Sequence, residues 1–221
     1  SELLVKNIAR RGYMLAIDKG DANTVSLSGM QQRSMQCNDP RDITAQQKTY
    51  IQNYIINFEA QRWNPHPETG YPAYIDTDSF VDHHMLNMLS RNADGLRIST
   101  FMSKPRNGKL TMGPIWDFDR SQESGDSRDN DPTAWTGPSG TLYFTDSDSW
   151  AWWQPLFSND DFWQTYIDHW QEYRMNAFSA SNVTAVIDQM AAEVAEAMAR
   201  DIARWTGFTD PRINRTYLPP R

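Results

Sequence analysis

The sequence predicts an α+β domain that is mostly helical and organised around one central β-hairpin. Four segments carry apolar residues at helical spacing, which predicts four amphipathic helices. Two strand-like segments are joined by Asn107-Gly108, the dipeptide that most favours a two-residue hairpin turn. The length of 221 residues allows one full domain, or one domain and part of a neighbour.

The N-terminal part of the chain predicts a second, shorter hairpin. Residues 12–18 and 24–28 are strand-like, and the Gly and Asn between them suit a turn. Residues 29–43 show no periodicity. Thr44 is placed to cap the first helix, and the prolines of segment 64–67 should end it. The second helix can be capped by Asp76 or Thr77, and it should end near Arg91.

The register of the central hairpin decides which side chains meet at its open end. Its strands are predicted at 96–104 and 109–116, with Arg106 opposite Lys109 across the turn. In that register four polar side chains gather at the open end of the hairpin: Asp94, Ser99, Asp117 and Asp119.

The last two helices are predicted at 159–178 and 181–205, with Asn159 and Ser181 as their N-caps. Each carries an apolar stripe, and we expect the two stripes to pack together beneath the open end of the hairpin. The stripes consist of Trp163, Tyr166, Ile167 and Trp170 in the first helix and of Val183, Val186, Ile187, Met190, Val194 and Met198 in the second.

Composition and charge exclude several classes of partner. Lys and Arg total 21 against 28 Asp and Glu, a net charge of -7, so a general electrostatic grip on nucleic acid or anionic lipid is not expected. No apolar run approaches the ~18 residues of a membrane-spanning helix. Cys37 is the single cysteine, which rules out a disulfide framework and a Cys-based zinc site within one chain. We therefore expect neither nucleic acid nor a membrane as a partner.

Two acidic segments flank the central hairpin. Asp94 follows the second helix, and the run Trp116-Asp117-Phe118-Asp119 follows the second strand. Side chains two residues apart on an extended chain point the same way, so Asp117 and Asp119 can offer oxygens to one hard divalent cation. The layout is that of a kinase catalytic loop followed by a D-F-G segment. A structural interpretation is equally open, with Asp94 as a turn residue and Asp117 capping the following loop.

Other polar and aromatic groups have weaker functional interpretations. His83 and His84 are adjacent on the second helix, and a partly buried or hydrogen-bonded role is expected for each, not a role as a base. A calcium loop starting at Asp117 fails, because Gln122 and Arg128 stand where it needs Gly and Glu. A sugar-stacking platform competes with an anchoring role for four tryptophans, Trp135, Trp150, Trp152 and Trp153.

Residues 71–119 resemble the signature core of the CotH family, the spore-coat-protein-H-like atypical kinases, and the resemblance extends over most of the chain. It implies a protein-kinase-like fold, ATP with Mg²⁺ or Mn²⁺ as cofactors, and phosphate transfer to a Ser or Thr hydroxyl of a protein substrate. It also implies a bacterial protein that is secreted or lies at the cell surface.

The same resemblance implies a role for each acidic residue. Asp94 is similar to the catalytic aspartate, and Asp117 is similar to the metal-binding aspartate of the D-F-G-like segment, assisted by Asp119. Ser99 stands where kinases place a metal-binding Asn, and a hydroxyl is a weaker ligand than an amide carbonyl. The implied metal set is therefore Asp117, Asp119 and Ser99, with a second metal in doubt.

The resemblance also implies a division of the chain. Residues 1–43 are expected to form a short β-hairpin and linker at the end of an N-lobe, and residues 44–206 a C-lobe with a long loop at 119–150. Residues 207–221 are expected to form an extended tail. No G-x-G-x-x-G occurs, and Lys6 reads as a surface residue, so most of an N-lobe is expected to be missing. A non-catalytic kinase-like surface-binding module and an Asp-based metal hydrolase remain the alternatives.

Overall fold

An antiparallel sheet and a set of α-helices make up the part of the chain that the computed structural model describes. The described residues are 12–20, 24–31, 35–92, 94–96, 98–122 and 152–204. The strands are β1 (Gly12–Ile17), β2 (Val25–Ser26), β3 (Met35–Asp39), β4 (Thr100–Pro105) and β5 (Thr111–Met112).

The helices follow the predicted order along the chain, with one short addition. They are α1 (Ala45–Gln61), α2 (Thr77–Ser90), α3 (Trp153–Phe157), α4 (Asp160–Tyr173) and α5 (Ala180–Arg204). Short 3₁₀ turns lie at Tyr71–Ala73 and Phe118–Arg120. The mixed α and β composition confirms the coarse fold prediction. No described helix is both long enough and apolar enough to span a bilayer.

The strands form one five-stranded sheet in the order β2-β3-β1-β4-β5, so the prediction of a single central hairpin is wrong. The predicted pairing of residues 12–18 with 24–28 is also wrong, because β1 pairs with β3 and β4 while β2 pairs only with β3. The sequence pattern did not predict strand β3, because three consecutive residues of this strand, Met35, Gln36 and Cys37, are all buried. A strand covered on both faces loses the alternation that identifies half-buried strands.

The hairpin of β4 and β5 is shifted by one residue from the predicted register. Met102 lies opposite Met112 and Ser103 opposite Thr111, so Arg106 does not pair with Lys109. Residues 106–108 form a three-residue loop in which the Gly108 N–H donates to the Pro105 carbonyl at 3.2 Å. The observed register sets two buried methionines side by side, and a shift by one residue would pair each with a polar or Gly neighbour.

Strand β5 is much shorter than the predicted 109–116. It ends at Met112 because Gly113 has φ +114° and Pro114 has no N–H to continue the ladder. Ile115 and Trp116 are exposed. The chain therefore reaches the acidic segment outside the sheet, and the path of that segment is set by local turns.

The helix boundaries confirm the predicted capping residues of α1 and α2. The Gln47 N–H donates to Thr44 Oγ1 at 3.2 Å while the Thr44 N–H donates to Gln47 Oε1 at 2.8 Å, which is a capping box. At α2 the Ser79 N–H donates to Asp76 Oδ1 at 2.9 Å. This helix ends before Arg91, whose φ of +55° stops helical hydrogen bonding.

The capping predictions for the last two helices need correction. Asn159 occupies the predicted N-cap position of α4, but its side chain makes no capping hydrogen bond to that helix, and its Nδ2 donates instead to the Pro155 carbonyl at 2.8 Å. Helix α5 begins one residue earlier than predicted. The Asn182 N–H donates to Ser179 Oγ at 3.3 Å, so Ser179 takes the place expected for Ser181.

The apolar stripes of α4 and α5 do not pack together as predicted. Helix α4 buries Tyr166 of the predicted stripe together with Phe162, which lies outside the stripe, while Trp163 and Ile167 are exposed. Apolar side chains cover more than one face of α4, so periodicity alone could not select the buried face. Among the described side chains of α5 none is buried, and the Met190 side chain is 61% exposed.

A cluster of aromatic rings forms the centre of the core beneath α1 and α2. Trp152 is 1% exposed, and its ring centroid lies 5.1 Å from that of Phe58 and 6.2 Å from that of Phe80. Its indole N–H donates to Glu59 Oε1 at 2.9 Å. Trp152 and the buried Trp153 are therefore core residues and not part of a sugar platform. Trp135 and Trp150 lie outside the described residues.

Replacing Trp152 should destabilise the domain far more than replacing Trp163. Trp152→Ala removes a buried ring and leaves Glu59 without its indole donor, so we expect a loss of about 3–5 kcal/mol in the free energy of unfolding. Trp163 is 37% exposed, so Trp163→Ala is a matched control with a clearly smaller loss. Equilibrium denaturation in urea measures both, and equal losses would contradict the placement of Trp152 at the centre of the core.

Candidate active site

Asp94 lies in a tight turn that begins where α2 ends. The Asn92 N–H donates to the Asn87 carbonyl at 3.0 Å, which turns the chain back across the end of the helix. Asn92 Oδ1 then accepts from the backbone N–H groups of Asp94 at 3.1 Å and of Gly95 at 3.2 Å. The Ile98 N–H closes the turn on the Asp94 carbonyl at 2.9 Å. These local hydrogen bonds fix the backbone of Asp94, which is buried.

The turn is anchored to the core through the backbone of Gly95. Its carbonyl accepts from Thr100 Oγ1 at 2.9 Å and lies 3.2 Å from His83 Nε2. A Cβ at this position would lie 1.9 Å from Asn87 Oδ1. Asn87 Oδ1 and Asn92 Nδ2 are buried without a hydrogen-bond partner in the described part of the chain. The loop therefore needs glycine here, and forming it leaves polar groups unsatisfied.

The second acidic segment is tied to the end of β4 by a side-chain hydrogen bond. Ser99 Oγ donates to Asp117 Oδ2 at 3.0 Å. Both residues have left-handed backbones, with φ of +53° at Ser99 and +64° at Asp117. Such conformations cost roughly 1–3 kcal/mol each and persist where the surrounding structure enforces them. The structure thus brings Ser99 and Asp117 together, although by a different register from the predicted one.

Asp94 contacts the same segment through Arg120, a residue that the sequence analysis did not select. Arg120 Nη1 lies 3.1 Å from Asp94 Oδ2. Arg120 is at the end of the 3₁₀ turn that starts directly after Asp117, and Asp119 is exposed on that turn. A basic residue shortly after the acidic run was the available signal, but it identifies no partner without the folded turn.

The oxygen donors suit a hard divalent cation. Asp117 and Asp119 are exposed carboxylates, and Mg²⁺ is commonly held by one or two carboxylates with water and phosphate oxygens completing the shell. The extended chain expected at this pair is wrong, because Asp117 has a left-handed backbone and Asp119 lies on the 3₁₀ turn. The described residues contain no group of three or more His, Cys, Asp or Glu side chains placed to hold an ion.

The two adjacent histidines of α2, His83 and His84, are buried in the core. Burial lowers the pKa of His83 to about 4. Burial, with His83 as a neighbour, lowers the pKa of His84 well below its ordinary value. The His84 ring centroid lies 4.7 Å from that of Phe157 and 5.0 Å from that of Trp153. Both histidines are therefore neutral at pH 7, and His83 contacts the catalytic-loop candidate only through Gly95.

The fold and these contacts define a mixed α and β domain with an acidic site formed by a post-helical turn and a second turn beyond the sheet. The chain belongs to the CotH family, because the family profile described as CotH kinase protein matches residues 1–218. Comparisons with curated proteins and with solved structures gave no match.

Gly95→Ala should disrupt the turn that carries Asp94. The added methyl would collide with Asn87 Oδ1, so we expect the free energy of unfolding to fall by about 1–3 kcal/mol. Gly108→Ala is the control, since its Cβ would meet Pro105 Cβ at 3.1 Å on the edge of the hairpin loop. Urea denaturation measures both variants. A Gly95→Ala protein as stable as the wild type would contradict the described packing of the turn.

Acid should destabilise the domain through His83 and His84. In the unfolded chain both histidines bind a proton near pH 6.5, whereas in the native state burial keeps them neutral to a lower pH. The free energy of unfolding is therefore highest above pH 6.5 and decreases as the pH falls toward about 4. Each histidine contributes up to about 1.4 kcal/mol per pH unit in this window. His84→Phe should make the slope shallower, whereas replacing the exposed His66 by Gln should not. Denaturation curves between pH 7.5 and about pH 4 measure the slope, and an unchanged slope in His84→Phe would refute the assignment.

Proposed function

We propose that this domain transfers phosphate from ATP to a Ser or Thr hydroxyl of a protein substrate. The supporting observation is that the turn carrying Asp94 and the segment carrying Asp117 are joined at one place, through Arg120–Asp94 and Ser99–Asp117. Membership of the CotH family supports a kinase-like activity. A catalytic base and a phosphate-side cation site must lie near each other in any such transfer.

Asp94 acts on the substrate hydroxyl. The hydroxyl oxygen forms a bond to the γ-phosphorus of ATP while the bond from that phosphorus to the bridging oxygen breaks, and ADP leaves. Asp94 orients the hydroxyl and accepts its proton. The rigid turn around Asn92 and Gly95 holds the carboxylate in position, which lowers the entropic cost of reaching the reactive geometry.

Asp117 and Asp119 hold the cation side of the site. A bound Mg²⁺ or Mn²⁺ would neutralise charge on the phosphates. The hydrogen bond from Ser99 orients the Asp117 carboxylate, and the left-handed backbone at Asp117 turns Asp119 onto the following 3₁₀ turn. From the family we further propose a protein substrate that is secreted or displayed at the cell surface.

A non-catalytic binding module is the second candidate, and two observations favour it. Arg120 already engages the carboxylate that should accept the proton, and Ser99 supplies a hydroxyl where a kinase has an amide ligand. Such a module would keep the fold and one cation site while transferring no phosphate.

Two conservative replacements separate the enzyme from the binding module. Asp117→Asn removes an anionic ligand, so Mg²⁺-dependent ATP binding should weaken by at least an order of magnitude. Asp94→Asn should leave that binding nearly intact and reduce phosphate transfer by roughly 10²–10⁴-fold, since a base acts only in the transition state. Calorimetry and radiolabel transfer on the full-length protein measure the two effects.

The exposed Asp160 at the start of α4 gives a matched control, since Asp160→Asn removes one carboxylate away from the site. It should change neither binding nor transfer. Equal loss of ATP binding in Asp94→Asn and Asp117→Asn would contradict the assigned roles. A wild-type protein that binds ATP without transferring phosphate would favour the binding module.

A further inference from the structure

We propose that Arg120 is a resident cation of the candidate active site, which limits the site to one divalent metal ion. Its guanidinium neutralises Asp94 and occupies the space on the side of that carboxylate that faces the metal-binding segment. The inference rests on the proposed function, because it concerns the same acidic site. It adds a positioning residue and a metal stoichiometry that the roles of Asp94, Asp117 and Asp119 do not supply.

The geometry places a fixed positive charge beside a desolvated carboxylate. Arg120 Nη1 lies 3.1 Å from Asp94 Oδ2, and the Asp94 side chain is only 9% exposed against 44% for Arg120. A charge-assisted contact with a nearly buried carboxylate is stronger than one between two exposed groups. The guanidinium is planar and keeps its positive charge over the whole physiological pH range.

The charge count of the site favours one added metal over two. Asp94, Asp117 and Asp119 bring three negative charges and Arg120 one positive charge, so two negative charges remain for an incoming cation. One divalent ion balances them. A second ion would enter a site without net negative charge from these side chains, and next to Asp94 it would meet the guanidinium.

The oxygen ligands near the site also favour one metal ion over two. Ser99 Oγ donates its proton to Asp117 Oδ2, which commits one oxygen of the principal metal-binding carboxylate. In kinases with two metal ions the second is held by the Asp of the D-F-G segment and by an Asn of the catalytic loop. Here the loop residue is a hydroxyl, and the remaining nearby carboxylate, Asp94, carries Arg120. Both features reduce the oxygens that a second ion could use.

Arg120 also joins the two halves of the site. It lies on the 3₁₀ turn that follows Asp117, so its contact with Asp94 spans the gap between the acidic segment and the post-helical turn. The Ser99–Asp117 hydrogen bond crosses the same gap from the sheet side. One ion pair and one hydrogen bond between side chains of this chain therefore connect the two halves of the site.

The test is a titration with Mn²⁺ alone, followed by calorimetry and by electron paramagnetic resonance of the free ion. Wild-type protein should bind one Mn²⁺ at the acidic site. Arg120→Gln removes the guanidinium charge from Asp94 Oδ2, so this variant should bind one more Mn²⁺ per chain, or bind Mn²⁺ on the order of tenfold more tightly. Arg120→Lys keeps the charge and should behave as the wild type.

Two controls make the result specific to this contact. Arg106→Gln removes an exposed charge in the hairpin loop and should leave Mn²⁺ binding unchanged. Asp94→Asn combined with Arg120→Gln should abolish the extra Mn²⁺ binding, because Asp94 is the oxygen donor that Arg120 blocks. Arg120→Ala provides a second test of the same loss of charge. Circular dichroism confirms that each variant is folded.

Unchanged Mn²⁺ stoichiometry and affinity in both Arg120→Gln and Arg120→Ala would overturn the inference. So would an equal gain of Mn²⁺ binding in Arg106→Gln, since the effect would then be a general one of net charge. Failure of the proposed function is separately visible. The proposed function fails if Asp117→Asn binds Mn²⁺ as the wild type does, or if the wild type transfers no phosphate. In either case the Mn²⁺ binding of the Arg120 variants still tests whether Arg120 blocks Asp94.

Discussion

Strand β1 is hydrogen-bonded to β3 along one edge and to β4 along the other, and the placement of the acidic site depends on that double pairing. Residues 12–17 thereby join the N-terminal strands to the hairpin that precedes the acidic segment. Because Leu15 pairs with Cys37 and with Met102, the end of β4 has a defined position against the helices. Ser99 and the turn of Asp94 follow from that position.

The site itself is built against local preferences. Ser99 and Asp117 both adopt left-handed backbones, Asp94 is a nearly buried carboxylate, and polar atoms of Asn87 and Asn92 are buried beneath the turn. Each of these features costs stability, and together they are tolerated only where a packed aromatic core offsets them. Such concentrations of strain and unsatisfied polarity are typical of functional sites. This physical signature supports a functional site at these two turns independently of family membership.

The sequence predicted best where a single local rule decides the structure. Thr44 and Asp76 cap helices because their side-chain oxygens reach backbone N–H groups only a few residues away. It predicted poorly where burial on two sides removes periodicity, as in β3, or where a long apolar stripe has no buried partner, as in α5. The predicted hairpin register was wrong by one residue, because the pairing of Met102 with Met112 outweighed the turn preference of Asn107-Gly108.

Sequence alone determined the order of the helices, most of their boundaries and the capping residues of α1 and α2, since these follow from spacing, capping and residue type. The tertiary structure alone decided which strands pair, which tryptophans are buried and that Arg120 contacts Asp94. Those outcomes depend on the distances between groups far apart in the chain. The meeting of Arg120 with Asp94 illustrates the reason, because it requires the α2 turn, the sheet and the 3₁₀ turn to be placed together before either side chain has a partner.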